Sequence, residues 1–493
     1  MGRSRKPLCV FRRTVGSNPT PSVGSGGSGE TRSVVSNGMV SRSQGARTGR
    51  RFGTCAICVL TGWLVAVGCL IASPGPARAE GSLYPLLKRD VLIGADAWSA
   101  RPRMLAAGLG FVNILGVPGA DSSDLDEARA AVTGVDGAWN DGLTCNSSAE
   151  VPRRSLTSAA SPAQIETAYG VPVEYGAGLP VEFSWPVRPS TVDPTDFRVT
   201  LSDGSEVTPQ AASINPNFEY NERSTVVLVG QFGNALPQGV PGSSFATRVR
   251  VVRDDTPMTL VGPGGRLASA VGMQAGKDTS PYDAQASDPR EWTGPRLIAG
   301  KISRMSTRGE KAPPGLRSNL PNDGTSLYGE RARFRIRVLT TGGFSPDGIR
   351  ALYPTEYRRF FQVRARSRSG RVVRLVRVGK TYSIDGHPIR VLGLADLGRR
   401  QRSYDYCYQE DHDNQIDILL AGSIEAARRI RSVVVPARGN GYRPFYNPGG
   451  PGLTPASGVR YTAPGPRHYQ RLTRDFSGRL SVDFRPGSGR QAD

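Results

Sequence analysis

In the first half of the chain, apolar and polar side chains alternate in short runs. Val181, Phe183 and Trp185 are separated by single polar residues, and the same period of two returns at Phe245–Val252. Because successive side chains of a strand point to opposite faces, this spacing predicts strands that each bury one face. Turns rich in Pro, Gly and Asp separate the runs, which indicates an antiparallel β-sandwich over residues 171–260.

Three adjacent runs in this region carry a resemblance to a known module. They read Val181-Glu-Phe-Ser-Trp-Pro-Val187, Ser190-Thr-Val192 and Asp196-Phe-Arg-Val199. Residues 175–255 are similar to the Ig-like modules of bacterial S-layer and other surface proteins. Those modules open with an apolar-x-Phe-Ser-x-Pro-apolar strand and continue, after a short turn, with a Phe-x-Val strand. The resemblance implies an Ig-like spacer or binding module at a cell surface, and it implies no catalytic residues.

A second set of strand-like runs follows, including Ala332–Leu339, Gln415–Leu420 and Val433–Val435. The predicted fold is therefore mainly β: two antiparallel β-sandwich-type domains, the first Ig-like, with a few short helices and long Gly/Pro-rich loops. The predicted boundaries are 1–79 (disordered leader plus signal peptide), 80–170 (mixed α/β segment), 171–260 (Ig-like sandwich), 261–294 (linker), 295–440 (second β-rich domain) and 441–493 (Gly/Pro-rich tail).

The leader carries the pattern of an export signal. A basic stretch at Arg47–Arg51 precedes the apolar run Phe52–Ala72, and Ala77-Arg-Ala79 places small residues where a signal peptidase cleaves. We expect cleavage after Ala79 and an extracellular, periplasmic or cell-surface location. Three alternatives stay open, one of which concerns the export route: Arg50-Arg51-Phe52 weakly resembles a twin-arginine signal, although its spacing departs from that signal. The other two concern cleavage. The apolar run is long enough to be an uncleaved anchor, and Cys69 follows a sequence loosely similar to a lipoprotein box.

The composition indicates a GC-rich bacterial source and anionic partners. Arginine greatly outnumbers lysine, as GC-rich codons favour, and the formal net charge is +21. Residues 1–38 lack apolar periodicity and are expected to be disordered, unless translation begins at Met39 rather than Met1. The basic excess beyond the leader favours an anionic envelope polymer or surface ligand as the partner. Membrane contact is expected only through the leader, if it is uncleaved.

Six arginines are spaced to form a cationic strip on a predicted hairpin. Three fall at a period of two on its first strand, and three lie on the return after a turn at Ser369-Gly370. They are Arg364, Arg366, Arg368, Arg371, Arg374 and Arg377. Guanidinium groups bind phosphate, sulfate and carboxylate in a bidentate way, so the strip is a candidate anion site; a solvated hairpin face is the alternative. Nucleic acid is not expected, because no pattern of stacking aromatic residues accompanies the strip.

The densest polar cluster of the chain lies between residues 405 and 417. Its candidate metal ligands are Asp405, Glu410, Asp411, Asp413, Asn414 and Asp417. Crowded carboxylates repel one another, and Ca²⁺ relieves the repulsion by taking about six to eight oxygen ligands. The spacing differs from that of an EF-hand, and a lone histidine among carboxylates makes zinc the weaker choice. A solvated acidic loop is the alternative to a Ca²⁺ site.

No set of residues demands an enzymatic activity. The sequence contains no Gly-x-Ser-x-Gly elbow, and proline interrupts the glycine runs at 262–265 and 449–452, so they are not phosphate loops. We therefore favour a non-enzymatic binding or structural protein of the envelope or extracellular space. The alternative is a secreted hydrolase that uses the acidic 405–417 loop, alone or with a metal, since paired carboxylates can hydrolyse glycosides.

Two cysteines remain after the predicted leader, Cys145 and Cys407. Both lie in polar, loop-like sequence, and two cysteines in an exported protein allow one disulfide. The bond would close a loop of about 260 residues, which the chain-entropy model values at ~5 kcal/mol. Two unpaired buried thiols are the alternative.

Overall fold

A computed structural model of the chain describes residues 82–108, 111–146, 150–234, 236, 241–276, 296–306, 312, 324–343, 350, 352–395, 398–409, 413–436 and 468–487. All of them belong to one compact unit, which begins at Ala77. The predicted leader, residues 1–79, lies outside the described residues.

The described elements are short strands with a few short helices. The strands are β1 (Leu92–Asp96), β2 (Met104–Ala107), β3 (Phe111–Leu115), β4 (Gly176–Phe183), β5 (Phe197–Leu201), β6 (Glu206–Val207), β7 (Ala211–Ser213), β8 (Thr225–Gly230), β9 (Ala246–Val251), β10 (Thr259–Val261), β11 (Leu267–Ser269), β12 (Gln274–Gly276), β13 (Leu297–Arg304), β14 (Phe334–Thr340), β15 (Gln362–Arg366), β16 (Val372–Leu375), β17 (Thr381–Ile384), β18 (His387–Ala395), β19 (Gln415–Gly422), β20 (Ile430–Val435), β21 (His468–Arg471), β22 (Thr473–Asp475) and β23 (Ser481–Phe484). The α-helices are α1 (Tyr84–Leu87), α2 (Leu125–Thr133), α3 (Arg153–Leu156), α4 (Pro162–Tyr169), α5 (Gly324–Tyr328), α6 (Tyr357–Phe360) and α7 (Ile424–Ala427). Short 3-10 helices lie at Pro189–Thr191, Pro194–Asp196, Pro263–Gly265 and Gly329–Arg331.

The first sandwich packs two antiparallel sheets face to face. One sheet has the order β2-β4-β8-β7, with β3 also paired to β4, and the other has the order β12-β9-β5-β6. Val181 and Phe183 of β4 and Val199 of β5 point into one shared core, as the alternation predicts. The prediction that only one face is buried is wrong for β4, because Glu182 on its other face is also fully buried. Trp185, just after β4, is fully buried in the same core.

The second sandwich repeats the same plan with larger sheets. A six-stranded sheet, β17-β18-β19-β14-β13-β22, faces a four-stranded sheet, β16-β15-β20-β21. Ile336 and Ile418 of the larger sheet pack against Val363 and Val433 of the smaller one. Among the described pairs of these sheets, only β13 and β22 run parallel.

The predicted fold class is confirmed, since the chain is mainly β, with antiparallel sheets and few, short helices. Within the described part of the chain, no helix has the length and apolar character needed to cross a membrane.

Strands from outside the two predicted sandwich ranges complete the sheets. β2 and β3 come from the predicted 80–170 segment, and β11 and β12 from the predicted 261–294 linker. β21, β22 and β23, from the predicted 441–493 tail, pair with β20, β13 and β1 respectively. β11 and β12 pair with the nearby strands β10 and β9, whereas the other pairings join segments farther apart in sequence. Local periodicity does not specify which distant strand a segment pairs with, so the predicted boundaries could not anticipate these pairings.

Helix α4, by contrast, is set by its local sequence. The Ser161 hydroxyl accepts a hydrogen bond from the Gln164 N–H, and the Gln164 side chain accepts one from the Ser161 N–H. This capping box starts the helix, and Gly170 ends it with a left-handed φ of 83°. A Cβ on Gly170 would also lie 2.7 Å from the ring of Tyr84.

Candidate cation site between the sandwiches

The chain between β7 and β8 is a buried polar loop. It reads Asn215-Pro-Asn-Phe-Glu-Tyr-Asn-Glu-Arg223. Asn217, Glu219, Asn221 and Glu222 are each at most 4% exposed. Buried polar groups are costly unless they find partners, so this loop must be matched by chemistry on the facing surface.

The facing surface is the start of β19 in the second sandwich. Asp413 and Asn414 directly precede the strand and are buried, as is Gln415 at its first position. The Asp413 carboxylate accepts a hydrogen bond from the Gln415 N–H at 2.7 Å. The side chain of Gln415 in turn donates to the backbone carbonyl of Glu222 at 2.7 Å, which ties the two sandwiches together.

Three carboxylates meet at this contact. One oxygen from each of Glu219, Glu222 and Asp413 lies within 4.8 Å of the other two, and all three residues are buried. We call this set the acidic trio. Like charges at such separations repel strongly where water is excluded, so the arrangement favours either proton uptake or a bound cation.

Three buried amide oxygens come from the same two segments of the chain as the acidic trio. The amide of Asn217 lies 3.4 Å from Asp413, measured from Nδ2 to Oδ2. The Oδ1 atoms of Asn217 and Asn221 and the Oε1 atom of Gln415 are buried and have no hydrogen-bond partner among the described residues. Buried acceptors without donors are rare in folded proteins. With the acidic trio they offer an all-oxygen set of the kind that Ca²⁺ prefers.

A buried network of ion pairs supports one side of the acidic trio. Arg337 of β14 contacts Glu222 at 3.2 Å and forms two hydrogen bonds to Asp417 of β19, at 2.8 and 2.9 Å. Arg335 of the same strand and Lys301 of the neighbouring strand β13 both pair with Asp96 of β1. Glu222 therefore belongs both to the acidic trio and to this network.

The pKa of Asp96 shows how strong the network is. Burial alone would raise the pKa of this carboxyl. The positive charges of Arg335, Lys301 and Arg337 outweigh burial and lower the pKa to about 2. Asp96 is thus held ionised at the centre of the contact between β1, β13 and β14.

The structure divides the predicted 405–417 ligand set. Asp413 and Asn414 lie at the site, whereas Asp417 is engaged by Arg337 and Arg335. Asp405 lies elsewhere and accepts hydrogen bonds from the N–H groups of Asn146 and Cys407. The remaining two predicted ligands, Glu410 and Asp411, lie outside the described residues. The other carboxylates come from the 215–223 loop, whose dense Asn and Glu content just before the apolar strand β8 was the available signal.

The predicted disulfide between Cys145 and Cys407 is present, with the Cα atoms 5.5 Å apart. It joins the loop after α2 to the loop that precedes β19. Gln409 strengthens this link by donating to the hydroxyl of Ser155 at 3.0 Å. The disulfide therefore anchors the loop that precedes Asp413.

A cavity of about 460 Å³ opens beside the acidic trio. Its walls are mostly apolar and include Phe111, Leu115, Ile165 and Val227, while Asn217, Asp413 and Asn414 line its polar end. Tyr169 of α4 also lines the cavity; burial raises the pKa of its hydroxyl to about 12, although a hydrogen bond with Asn215 acts in the opposite direction. We call this space the junction pocket.

The predicted arginine hairpin also forms. β15 pairs with β16, and Arg364 lies directly opposite Arg374 on the same face. Arg366 is exposed at the end of β15, and Arg368, Arg371 and Arg377 are exposed beyond the paired residues. The hairpin therefore displays its arginines over a wider area than one strand face.

Comparison with protein-family models, with curated proteins and with solved structures finds no match to this chain.

Proposed function

We propose that this chain is an exported, non-enzymatic binding or structural β-sandwich protein, in which Ca²⁺ at the acidic trio joins the two sandwiches. The observation that carries the proposal is the convergence of Glu219 and Glu222 from the first sandwich with Asp413 from the second. A divalent cation would neutralise this buried charge and link the two parts of the molecule. We expect a structural role, because all three carboxylates are buried away from any large substrate.

Calcium is favoured by the chemistry of the donors. The described groups around the acidic trio supply carboxylate and amide oxygens, with no histidine or cysteine among them. Such hard oxygen donors suit Ca²⁺, whereas structural zinc takes cysteine and histidine. The loop supplies several amide oxygens at irregular intervals along the chain. Ca²⁺ accepts variable coordination geometry, whereas Mg²⁺ requires a near-ideal octahedron, so the loop suits Ca²⁺ better.

Two further features support export and a surface location. The leader has the pattern of a signal peptide, and the disulfide between Cys145 and Cys407 is typical of oxidising compartments. An Ig-like module at residues 175–255 would serve as a spacer or a binding unit there.

The test is thermal unfolding of the purified protein in excess EDTA and then with added Ca²⁺. A ligand that binds only the folded state stabilises it by about 2.7 kcal/mol at a hundredfold excess over Kd. We expect a clear rise in Tm with Ca²⁺ that Asp413→Asn abolishes. Glu206→Gln is the matched control, because Glu206 is an exposed carboxylate of the first sandwich on the sheet that does not contain β7 and β8, the strands that flank the 215–223 loop. No Ca²⁺-dependent shift in the parent protein would refute the cation site.

The junction pocket favours a second candidate, a secreted hydrolase. Asp413 borders a cavity large enough for a small substrate, so the same carboxylate could act on a bound ligand. Turnover of glycoside or ester substrates that Asp413→Asn abolishes, in a variant that keeps the parent Tm, would favour the enzyme. Loss of Tm without any detectable turnover in the parent would favour the structural site.

A further inference from the structure

Four arginines converge on a surface pocket at one end of the second sandwich. The pocket has a volume of about 410 Å³, and it is lined by Arg428, Arg431, Arg471, Leu472, Arg474 and Phe476. We propose that this arginine pocket binds an anionic polysaccharide through sulfate, phosphate or carboxylate groups. The inference deepens the proposed function, because it identifies the site and the chemical class of the partner of a surface binding protein.

The guanidinium groups are held close together by the backbone. The carbonyl of Arg428, just after α7, accepts a hydrogen bond from Arg431 at 2.9 Å and another from Arg474 at 3.1 Å. Arg431 is on β20 and Arg474 is on β22, so this one oxygen draws together side chains from both sheets of the sandwich. Preorganised donors of this kind lose less conformational entropy when an anion binds.

Within the described part of the chain, these positive charges lack partners of opposite sign. Among the described residues, none of Arg428, Arg431, Arg471 and Arg474 forms an ion pair with a carboxylate. Other arginines of the same sandwich do: Arg429 pairs with Asp385 at 3.3 Å, and Arg350 with Glu356 at 2.9 Å. Burial, followed by the neighbouring cations Arg474, Arg429, Arg471 and Arg366, lowers the pKa of Arg431. An anion in the pocket would relieve this mutual repulsion.

The sequence between β20 and β21 is basic. Residues 437–467, which connect β20 to β21, contain Arg438, Arg443, Arg460 and Arg467 but no aspartate or glutamate. This segment of the sequence therefore carries positive charge and no carboxylate.

Arg374, Arg364 and Arg471 form a row on one face of the smaller sheet, with the buried Ser432 between the last two, and this row favours a polymer over a single small anion. Arg374 lies opposite Arg364, Arg364 lies opposite Ser432, and Ser432 lies opposite Arg471. Directly opposed residues share a sheet face, and neighbouring strands are about 4.8 Å apart, so the row spans about 14 Å. Arg471 belongs to both the row and the pocket. An extended polyanion can contact both, whereas one phosphate group can contact only the pocket.

The test is binding of the purified full chain to heparin, a sulfated polysaccharide, at increasing salt. We expect Arg431→Gln/Arg474→Gln to weaken binding by about tenfold or more and to reduce its salt dependence, because fewer counterions are released. Arg333→Gln/Arg358→Gln is the matched control: it removes the same charge from exposed arginines of the same sandwich that lie outside the pocket, the row and the arginine hairpin. The control should keep binding within about twofold of the parent.

Three outcomes would overturn the inference. Equal losses in the two double variants would mean that only net charge matters. Inorganic phosphate that competes as well as heparin, per negative charge, would indicate a site for single anions. Binding to phosphatidylglycerol vesicles with no binding to heparin would indicate a membrane partner. The Ca²⁺-dependent Tm shift, measured on the same pocket variant, separates this test from the proposed function: it should persist whether or not heparin binds.

Discussion

Arg337 and Asp417 occupy directly opposed positions on β14 and β19 and form a two-pronged ion pair, with Nε–Oδ1 at 2.8 Å and Nη2–Oδ2 at 2.9 Å. Both side chains are almost completely buried. Charged residues are uncommon in the interior of a sheet, and a buried ion pair is weak evidence for stability by itself. The role of this pair is to position Arg337, which also contacts Glu222, one carboxylate of the acidic trio. The ion pair thereby holds the second sandwich against the loop of the first.

The first prediction concerns this ion pair. Asp417→Asn should destabilise the protein by about 3–5 kcal/mol, because it leaves a buried guanidinium without its main counterion. Urea unfolding at pH 7 measures the effect. Asp141→Asn, which removes one partner of the exposed pair Arg129–Asp141, is the control and should change stability by less than about 1 kcal/mol. Equal effects of the two variants would show that the buried pair contributes nothing special.

The second prediction concerns Glu219, where the sign of the effect depends on the cation. In EDTA, Glu219→Gln should leave Tm unchanged or raise it, since one of three clustered carboxylates loses its charge. With Ca²⁺, the variant should lose the stabilisation that the parent gains, because a ligand is missing. A differential scanning calorimetry series in both conditions shows the crossover. A variant that is equally destabilised with and without Ca²⁺ would argue for a purely structural carboxylate.

The third prediction is a dependence of stability on pH through Asp96. Its pKa is about 2 in the folded protein, against 3.8 for the ordinary carboxyl. Between these values the unfolded chain binds more protons than the folded one, so stability rises with pH. The contribution of Asp96 is therefore complete above about pH 4 and is lost as the pH falls through 2.

The measurement for Asp96 is the free energy of unfolding between pH 7 and pH 2, for the parent and for Asp96→Asn. The variant should be the less stable at pH 7, because Lys301 and Arg335 lose a counterion. The difference between the two proteins should shrink as the pH falls from 4 to 2. A constant difference over that range would mean that Asp96 does not titrate as expected.

The fourth prediction concerns the disulfide. Cys145 and Cys407 are separated by 262 residues in the sequence. The chain-entropy model values such a crosslink at about 5 kcal/mol, so Cys145→Ser/Cys407→Ser should unfold at much lower urea concentration than the parent. Dithiothreitol should lower the midpoint of the parent toward that of the variant and leave the variant unchanged. If reduction does not move the parent, the bond contributes little to its stability.

Much of the fold was predictable because its signals are local. The alternation around Val181 and Phe183 reports one face of a strand, and the Ser161-Pro162 start and Gly170 end of α4 lie within one short segment. The arginine hairpin around Ser369-Gly370 follows from the same kind of pattern. In each case, the signal that predicts the element lies in the residue types and spacing of one short segment.

The candidate cation site was only partly predictable. The sequence of the 405–417 segment pointed to Asp413 and Asn414, because their charge density is visible locally. Their partners Glu219 and Glu222 lie almost two hundred residues earlier, as the Asn217–Asp413 contact illustrates with its separation of 196. The periodicity of a short segment does not indicate which distant residues it will contact. Only the packing of one sandwich against the other brings these residues together.

The sequence by itself determined the mainly β character, the antiparallel strands, the short capped helices and the two cysteines able to pair, since each depends on residue type and short-range spacing. Tertiary structure alone decided that β21 to β23 complete distant sheets, that Asp417 pairs with Arg337, and that Arg431, Arg471 and Arg474 share one pocket. The physical reason is that sheet order and sandwich packing follow from the simultaneous burial of many apolar faces. Which charged residues then become neighbours is a consequence of that burial and is not encoded in either segment alone.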